Sequence, residues 1–182
     1  MKDKLRSALK ESRYQHSMGV CSEAVKMAER YGVNTDKAYL AGLLHDCAKG
    51  FDNEKQLELC KKYGLELDEV TLACPAVIHA PLGAEVAKRE YGIDDEEILD
   101  AIRYHTVARA KMTDLDKIIY IADMIEPMRS FDGVEELREA AYKDLDTAFI
   151  MTLRQSMEFN LKKQNVLHPA TLEAWNYILK GV

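Results

Sequence analysis

The chain has 182 residues, with 25 Lys+Arg against 31 Asp+Glu and a formal net charge of −6. That length suits one domain, residues 1–182, and the acidic balance excludes a protein whose main business is coating DNA, RNA or an anionic membrane. No apolar run approaches the ~18 residues needed to cross a bilayer, and the charged start Met1-Lys2-Asp3-Lys4-Leu5-Arg6 lacks the apolar core of a signal peptide, so a cytoplasmic location is expected.

The dominant period along the chain is helical. Tyr14 to Tyr31 reads as a helix with Val20, Ala24, Met27 and Ala28 on one face, closed by Gly32. Thr35 caps a second helix running through Leu40, Leu43 and Leu44 towards Ala48. Asn53 precedes a helix over Glu54–Tyr63 that stops at Gly64, and a short segment leads to Cys74-Pro75. Helices follow over Leu82–Tyr91, Asp95 to about Thr106, and Asp114–Ile125 behind a Thr113 cap. Val134–Lys143 and Leu145–Gln164 continue the pattern, and Pro169 opens a last helix to Lys180. Strand-like alternation is almost absent and the connections are short, which predicts an all-α single compact helical bundle of about eight to ten helices. The cysteines, Cys21, Cys47, Cys60 and Cys74, form no CxxC pair and read as reduced, half-buried small residues.

Two stretches, Tyr39–Ala48 and Ile118–Ile125, are apolar all round and therefore belong inside the fold. Each carries a carboxylate in its interior, Asp46 or Asp123. A lone ionised carboxylate there is very costly, so each must be paired, protonated or bound to a metal. Asp46 follows His45, and neutral imidazole is the commonest metal ligand. His16 lies early in the first long helix, His79 in the apolar loop Val77–Pro81, and His105 closes the amphipathic segment Ile98–His105. Any one of these histidines taken singly is more often a satisfied core residue than a ligand. Together they form a His/Asp set drawn from different helices, as metal sites in helical bundles are. His168, before Pro169, shapes the turn or docks the final helix and stays outside that set.

At these residues the sequence resembles the HD-domain metal-dependent phosphohydrolases, named for a His-Asp doublet seen here as His45-Asp46. More narrowly it is similar to the YqeK-type HD proteins, a bacterial family of symmetrical diadenosine tetraphosphate (Ap4A) hydrolases. Five ordered blocks carry the likeness: Arg13–His16, His45–Lys49, Ile78–Ala84, Ala101–Thr106 and Tyr120–Arg129. After Tyr104-His105-Thr106 the family commonly has a Gly-containing step before the next Arg, where this chain has Val107-Ala108-Arg109.

The resemblance implies two divalent metal ions, iron first, with manganese or another divalent ion as alternatives. His16, His45, Asp46 and Asp123 would hold one, and His79 and His105 the other, with Asp46 bridging. A carboxylate has two oxygens and can bridge, whereas an imidazole binds one ion. Two such ions set against two carboxylates leave the cluster net positive, so an acidic protein can hold a small polyanion in one pocket. The implied reaction is central hydrolysis of Ap4A to two ADP by a metal-activated water. Lys49, one helical turn after Asp46, and Arg109 and Arg129, four after His105 and six after Asp123, are the expected phosphate clamps; Asp46, Lys49 and Arg109 are the expected catalytic set. Arg13 and Arg103 adjoin ligands in sequence but point about 100° away on a helix, and rank lower. Glu126, one turn after Asp123, is a candidate hydrogen-bond acceptor for a ligand histidine. The alternatives are the same chemistry on a nucleoside monophosphate, a dNTP or a cyclic dinucleotide, and an HD-type di-iron oxygenase. The partners implied are a small nucleotide and no nucleic-acid polymer or membrane; a homodimer is compatible with a helical domain of this size.

Overall fold

The computed structural model describes residues 1–181. Among them there are eleven α-helices, one short 3₁₀ turn and no strand. The helices are α1 (Lys2–Ala8), α2 (Glu11–Tyr31), α3 (Thr35–Leu44), α4 (Asn53–Tyr63), α5 (Glu69–Ala73), α6 (His79–Tyr91), α7 (Glu96–Tyr104), α8 (Asp114–Ile125), α9 (Val134–Ala141), α10 (Leu145–Lys162) and α11 (Pro169–Lys180). The fold is all-α as expected, and the excess over eight to ten comes from the short α1 and α5. Neither is long enough to show a helical period. α1 is tied in mainly by Leu5, which is fully buried, and α5 by an Asp68 cap on the amides of Val70 and Thr71. Among the described residues no helix is long and apolar enough to cross a membrane.

α8 is the axis of the core. Ile118, Ile119, Ile121 and Ala122 have no exposed surface, and α2, α3, α7, α9 and α10 pack around them. Its start is a capping box: the Thr113 hydroxyl accepts from the Asp116 amide and the Asp116 carboxylate accepts from the Thr113 amide. α3 lies against α2 at Gly42, where a Cβ would stand 2.9 Å from the Cys21 Cα. Only glycine permits that approach, which places the end of α3 beside the middle of α2.

Several ends differ from the expected ones, and the differences matter for function. Asn34 rather than Thr35 caps α3, accepting from the amides of Asp36 and Lys37. α3 stops at Leu44, four residues short of Ala48, because residues 45–50 close tighter turns through Cys47 N to Leu44 O and Lys49 N to Asp46 O. α6 starts at His79, before the expected Leu82; Pro81 is tolerated since first-turn amides lack intrahelical partners. α7 stops at Tyr104, and Ala108 takes a left-handed conformation (φ 60°) that redirects the chain. The cysteines are free, with Cys21, Cys47 and Cys60 buried.

Candidate metal centre

The six residues of the His/Asp set come from five places in the bundle. His16 is in the second turn of α2, His45 and Asp46 are in the turn after α3, and His79 opens α6. His105 directly follows α7, and Asp123 is in the last turn of α8. The structure brings all six together. The four histidines and Asp46 are each no more than 6% exposed, and Asp123 opens onto a cavity of about 310 Å³.

The donors sort themselves around the two oxygens of Asp46. Facing Oδ2 are His45 Nε2 at 3.5 Å and His16 Nε2 at 3.8 Å, with Asp123 Oδ1 3.0 Å from His16 Nε2 and 4.0 Å from His45 Nε2. Facing Oδ1 are His79 Nε2 at 3.2 Å and His105 Nε2 at 3.7 Å. The Nε2 atoms of His16 and His45 stand 3.3 Å apart, and those of His79 and His105 3.2 Å. His45, Asp46 and His105 also bring ligand atoms within 4.8 Å of one another, so the two halves adjoin.

The outer nitrogens explain why those Nε2 atoms point inward. Nδ1 donates to Gly42 O in His45 (2.7 Å), to Ala76 O in His79 (2.8 Å) and to Ile102 O in His105 (2.7 Å). A carbonyl oxygen only accepts, so each Nδ1 carries a proton, and in the neutral ring each Nε2 presents its lone pair to the centre. His16 Nδ1 is held by Glu126 Oε1 at 3.0 Å, and Glu126 is 1% exposed. Acceptor therefore faces acceptor at about 3.2 Å, an arrangement that needs positive charge between the atoms. Neighbouring donors on one ion at about 2.1 Å themselves stand about 3 Å apart. The donor set thus fits divalent metal ions, and its mixture of imidazole and carboxylate suits iron, manganese or zinc.

The charges reinforce this. Burial opposes ionisation of Asp46, yet His45, His105 and His79 hold its carboxyl well below the usual range. Burial likewise opposes charge on Asp123, and the neighbouring His16 with the Arg129 guanidinium hold its carboxyl well below the usual range. Burial pushes His79 down to about 4, which keeps that imidazole neutral and its lone pair free.

Around the cavity stand three cations. Arg13 Nη1 donates to Asp46 Oδ2 at 2.8 Å. Arg129 donates through Nη2 to Asp123 Oδ1 (2.5 Å) and through Nε to the Asp123 carbonyl (2.7 Å). Lys49 bonds Ala76 O at 3.3 Å, and burial draws its ammonium down against the pull of Asp46. All three line the cavity. Arg109 does not. Its spacing from His105 had meaning only on a continued helix, and α7 ends before it. The guanidinium instead bonds Asp100 (2.9 Å) and Asp116 (3.1 Å) and stacks on Tyr104 at 4.3 Å. The structure thus points Arg109 away from the cavity and places Arg13, ranked low on its angle from His16, on the cavity wall. Arg103 pairs with Asp100.

Other contributors carry no local sequence signal. A Cβ on Gly19 would lie 2.7 Å from Glu126 Oε2, so this glycine makes room for the carboxylate that holds His16. Arg138, in α9, donates to the carbonyls of Ile125 (2.9 Å), Glu126 (3.0 Å) and Arg129 (3.0 Å), pinning the segment that carries Glu126 and Arg129. Thr106, Tyr120 and Ser156 complete the cavity wall, and the buried Thr106 hydroxyl has no partner. His168 lies apart from the cluster: its Nδ1 accepts from the Ala170 amide and its Nε2 meets Thr71 Oγ1 at 3.2 Å, which docks α11 on α5.

Comparison with known proteins agrees with this picture. The HD domain model matches residues 13–128. The chain is 42% identical over 179 residues to the symmetrical bis(5'-nucleosyl)-tetraphosphatase of Bacillus subtilis, covering 97% of this chain and 95% of that one. It is 41% identical over 171 residues to the protein of the same name from Halalkalibacterium halodurans, covering 94% and 91%. It also superposes, with a TM-score of 0.96 and 45% identity, on the crystal structure of a predicted HD superfamily hydrolase involved in NAD metabolism from Clostridium acetobutylicum, covering 100% of this chain and 96% of that one.

Proposed function

The chain belongs to the HD domain family, and we propose that it hydrolyses diadenosine tetraphosphate symmetrically to two ADP. The observation that carries this is the division of donors between the two oxygens of Asp46, beneath a rim of Arg13, Lys49 and Arg129. In this reading His16, His45, Asp46 and Asp123 would hold one divalent ion, iron by preference, and His79 and His105 with Asp46 a second. Ions so held would supply an acidic water and positive charge for phosphoryl transfer.

The chain's own residues do the rest. Glu126 fixes the His16 ring, and the carbonyls of Gly42, Ala76 and Ile102 fix the other three, so the donors need not reorganise. Arg13 and Arg129 present guanidinium forks and Lys49 a point charge, which suits a tetraphosphate bridging the cavity. Asp46 and Asp123 hold those guanidinium groups at the cavity wall. No proton donor to the departing group is required, because ADP is a good leaving group. The cationic rim favours a phosphate substrate over the oxygenase alternative. One HD domain acting in the cytosol fits the free cysteines; a homodimer is compatible with this reading.

The test is product analysis of purified protein with Ap4A and Fe²⁺ or Mn²⁺ by ion exchange. ADP as sole product is expected. ATP with AMP would replace the central cut by an asymmetric one, and no turnover of any nucleotide would sink the hydrolase reading.

A further inference from the structure

A second chamber of about 300 Å³ lies between the Glu66–Asp68 segment, the Pro75–Val77 turn, the turn after α7 and the start of α11. Its walls are Leu67, Val77, Pro81, Tyr104 and Val107. It adjoins the metal cavity: Thr106 lines both, and a small recess of about 40 Å³ beside them shares Thr106 and Ser156 with the metal cavity and Val77, Thr106, Val107 and His168 with the chamber. The buried, unpartnered Thr106 hydroxyl stands at this junction.

The two spaces have opposite chemistry. The metal cavity carries Arg13, Lys49 and Arg129, whereas the chamber is mainly apolar and carries the carboxylates of Glu66 and Asp68. Asp68 is held down to about 2 by bonds from the Thr71 hydroxyl and amide, so it is ionised at neutral pH. Arg103, the chamber's guanidinium, is already paired with Asp100. Such a chamber repels polyphosphate but accepts a flat, uncharged ring with hydroxyl and amino donors. Tyr104 is held in its wall by the Arg109 guanidinium stacked 4.3 Å from the ring centre, which in turn is anchored on Asp100 and Asp116.

We infer that this chamber receives the nucleoside end of one ADP arm while the phosphates lie over the metal cavity, the arm passing over Thr106, which lines both. The inference rests on the function proposed above, and it gives Arg109 a positioning role through Tyr104.

The test uses Val107→Trp, which fills the chamber, with Leu67→Trp filling it from the opposite segment should the first variant fold poorly. Inhibition of Ap4A hydrolysis by ADP and by pyrophosphate is measured on Mn²⁺-loaded wild type and variant. A nucleoside seated there contributes about 1–3 kcal/mol, so KM for Ap4A and Ki for ADP should rise about tenfold or more, while Ki for pyrophosphate stays within about twofold. An unchanged ADP Ki in an active variant overturns the chamber alone. Equal losses for ADP and pyrophosphate also overturn it, because the damage then lies at the metals. A wild type that forms no ADP overturns the function beneath it.

Discussion

Asp46 is the one side chain that faces both halves of the donor set, and its two oxygens are not interchangeable with any neighbour's. An amide has a single carbonyl oxygen and an NH₂ that cannot ligate, so Asp46→Asn should retain at most one equivalent of metal by elemental analysis and form no measurable ADP. A fully loaded, active variant would refute the bridge. Glu126 acts one step further out. Glu126→Ala frees the His16 ring and should lower metal affinity or activity about 10–100-fold, while Glu126→Gln, which still accepts from Nδ1, should recover most of it. A glutamine variant no better than alanine would show that charge, not orientation, is what Glu126 supplies. At this scale the cluster was legible because buried polar residues are conspicuous in apolar sequence. Arg109 was expected at the cavity because its spacing argument assumed a helix that ends five residues earlier, and Arg138 was invisible because its partners are backbone carbonyls 9 to 13 residues earlier in the chain.

Elements decide where those residues sit. The glycine stops at 32, 64 and 92 and the Thr113 and Pro169 starts could be read directly, because each reflects local backbone chemistry. The ends next to the site could not, since α3 and α7 are cut short by tight turns that serve the cluster. His45 and His105 occupy those cut ends, where the backbone turns back and each ring can bond a carbonyl three residues earlier. Two predictions belong here. Thr113→Ala removes the hydroxyl that caps α8 and should cost about 1 kcal/mol in urea unfolding, with metal content unchanged, since Asp123 lies at the other end of that helix. Arg138→Met keeps the apolar stem but loses bonds to three carbonyls at the loop after α8. It should cost about 1.5–3 kcal/mol and, unlike the Thr113 variant, also reduce metal retention. Equal metal content in the two variants would mean that α9 supports stability without positioning Glu126.

At the scale of the whole molecule, ions held at the cluster would tie together α2, the turn after α3, α6, the end of α7 and α8, elements that otherwise meet mainly through aliphatic packing. The same cluster brings buried acceptors within hydrogen-bond distance of one another, so metal binding and folding must be coupled. The unfolded chain scatters these ligands across more than a hundred residues and holds ions weakly, so binding to the native state stabilises it by mass action. With free metal at about 100 times its dissociation constant the gain is about 2.7 kcal/mol, and a chain of this size moves by about 2–4 °C per kcal/mol. Chelator should therefore lower Tm by about 5–10 °C, with recovery on adding Fe²⁺ or Mn²⁺. Asp46→Asn should show a smaller shift, because one ion at most remains to be stripped. The measurement is paired calorimetry and elemental analysis on the same samples. A wild type that loses its metal with Tm unchanged would show that the aliphatic core alone sets the geometry, and that the ions serve chemistry and not the fold.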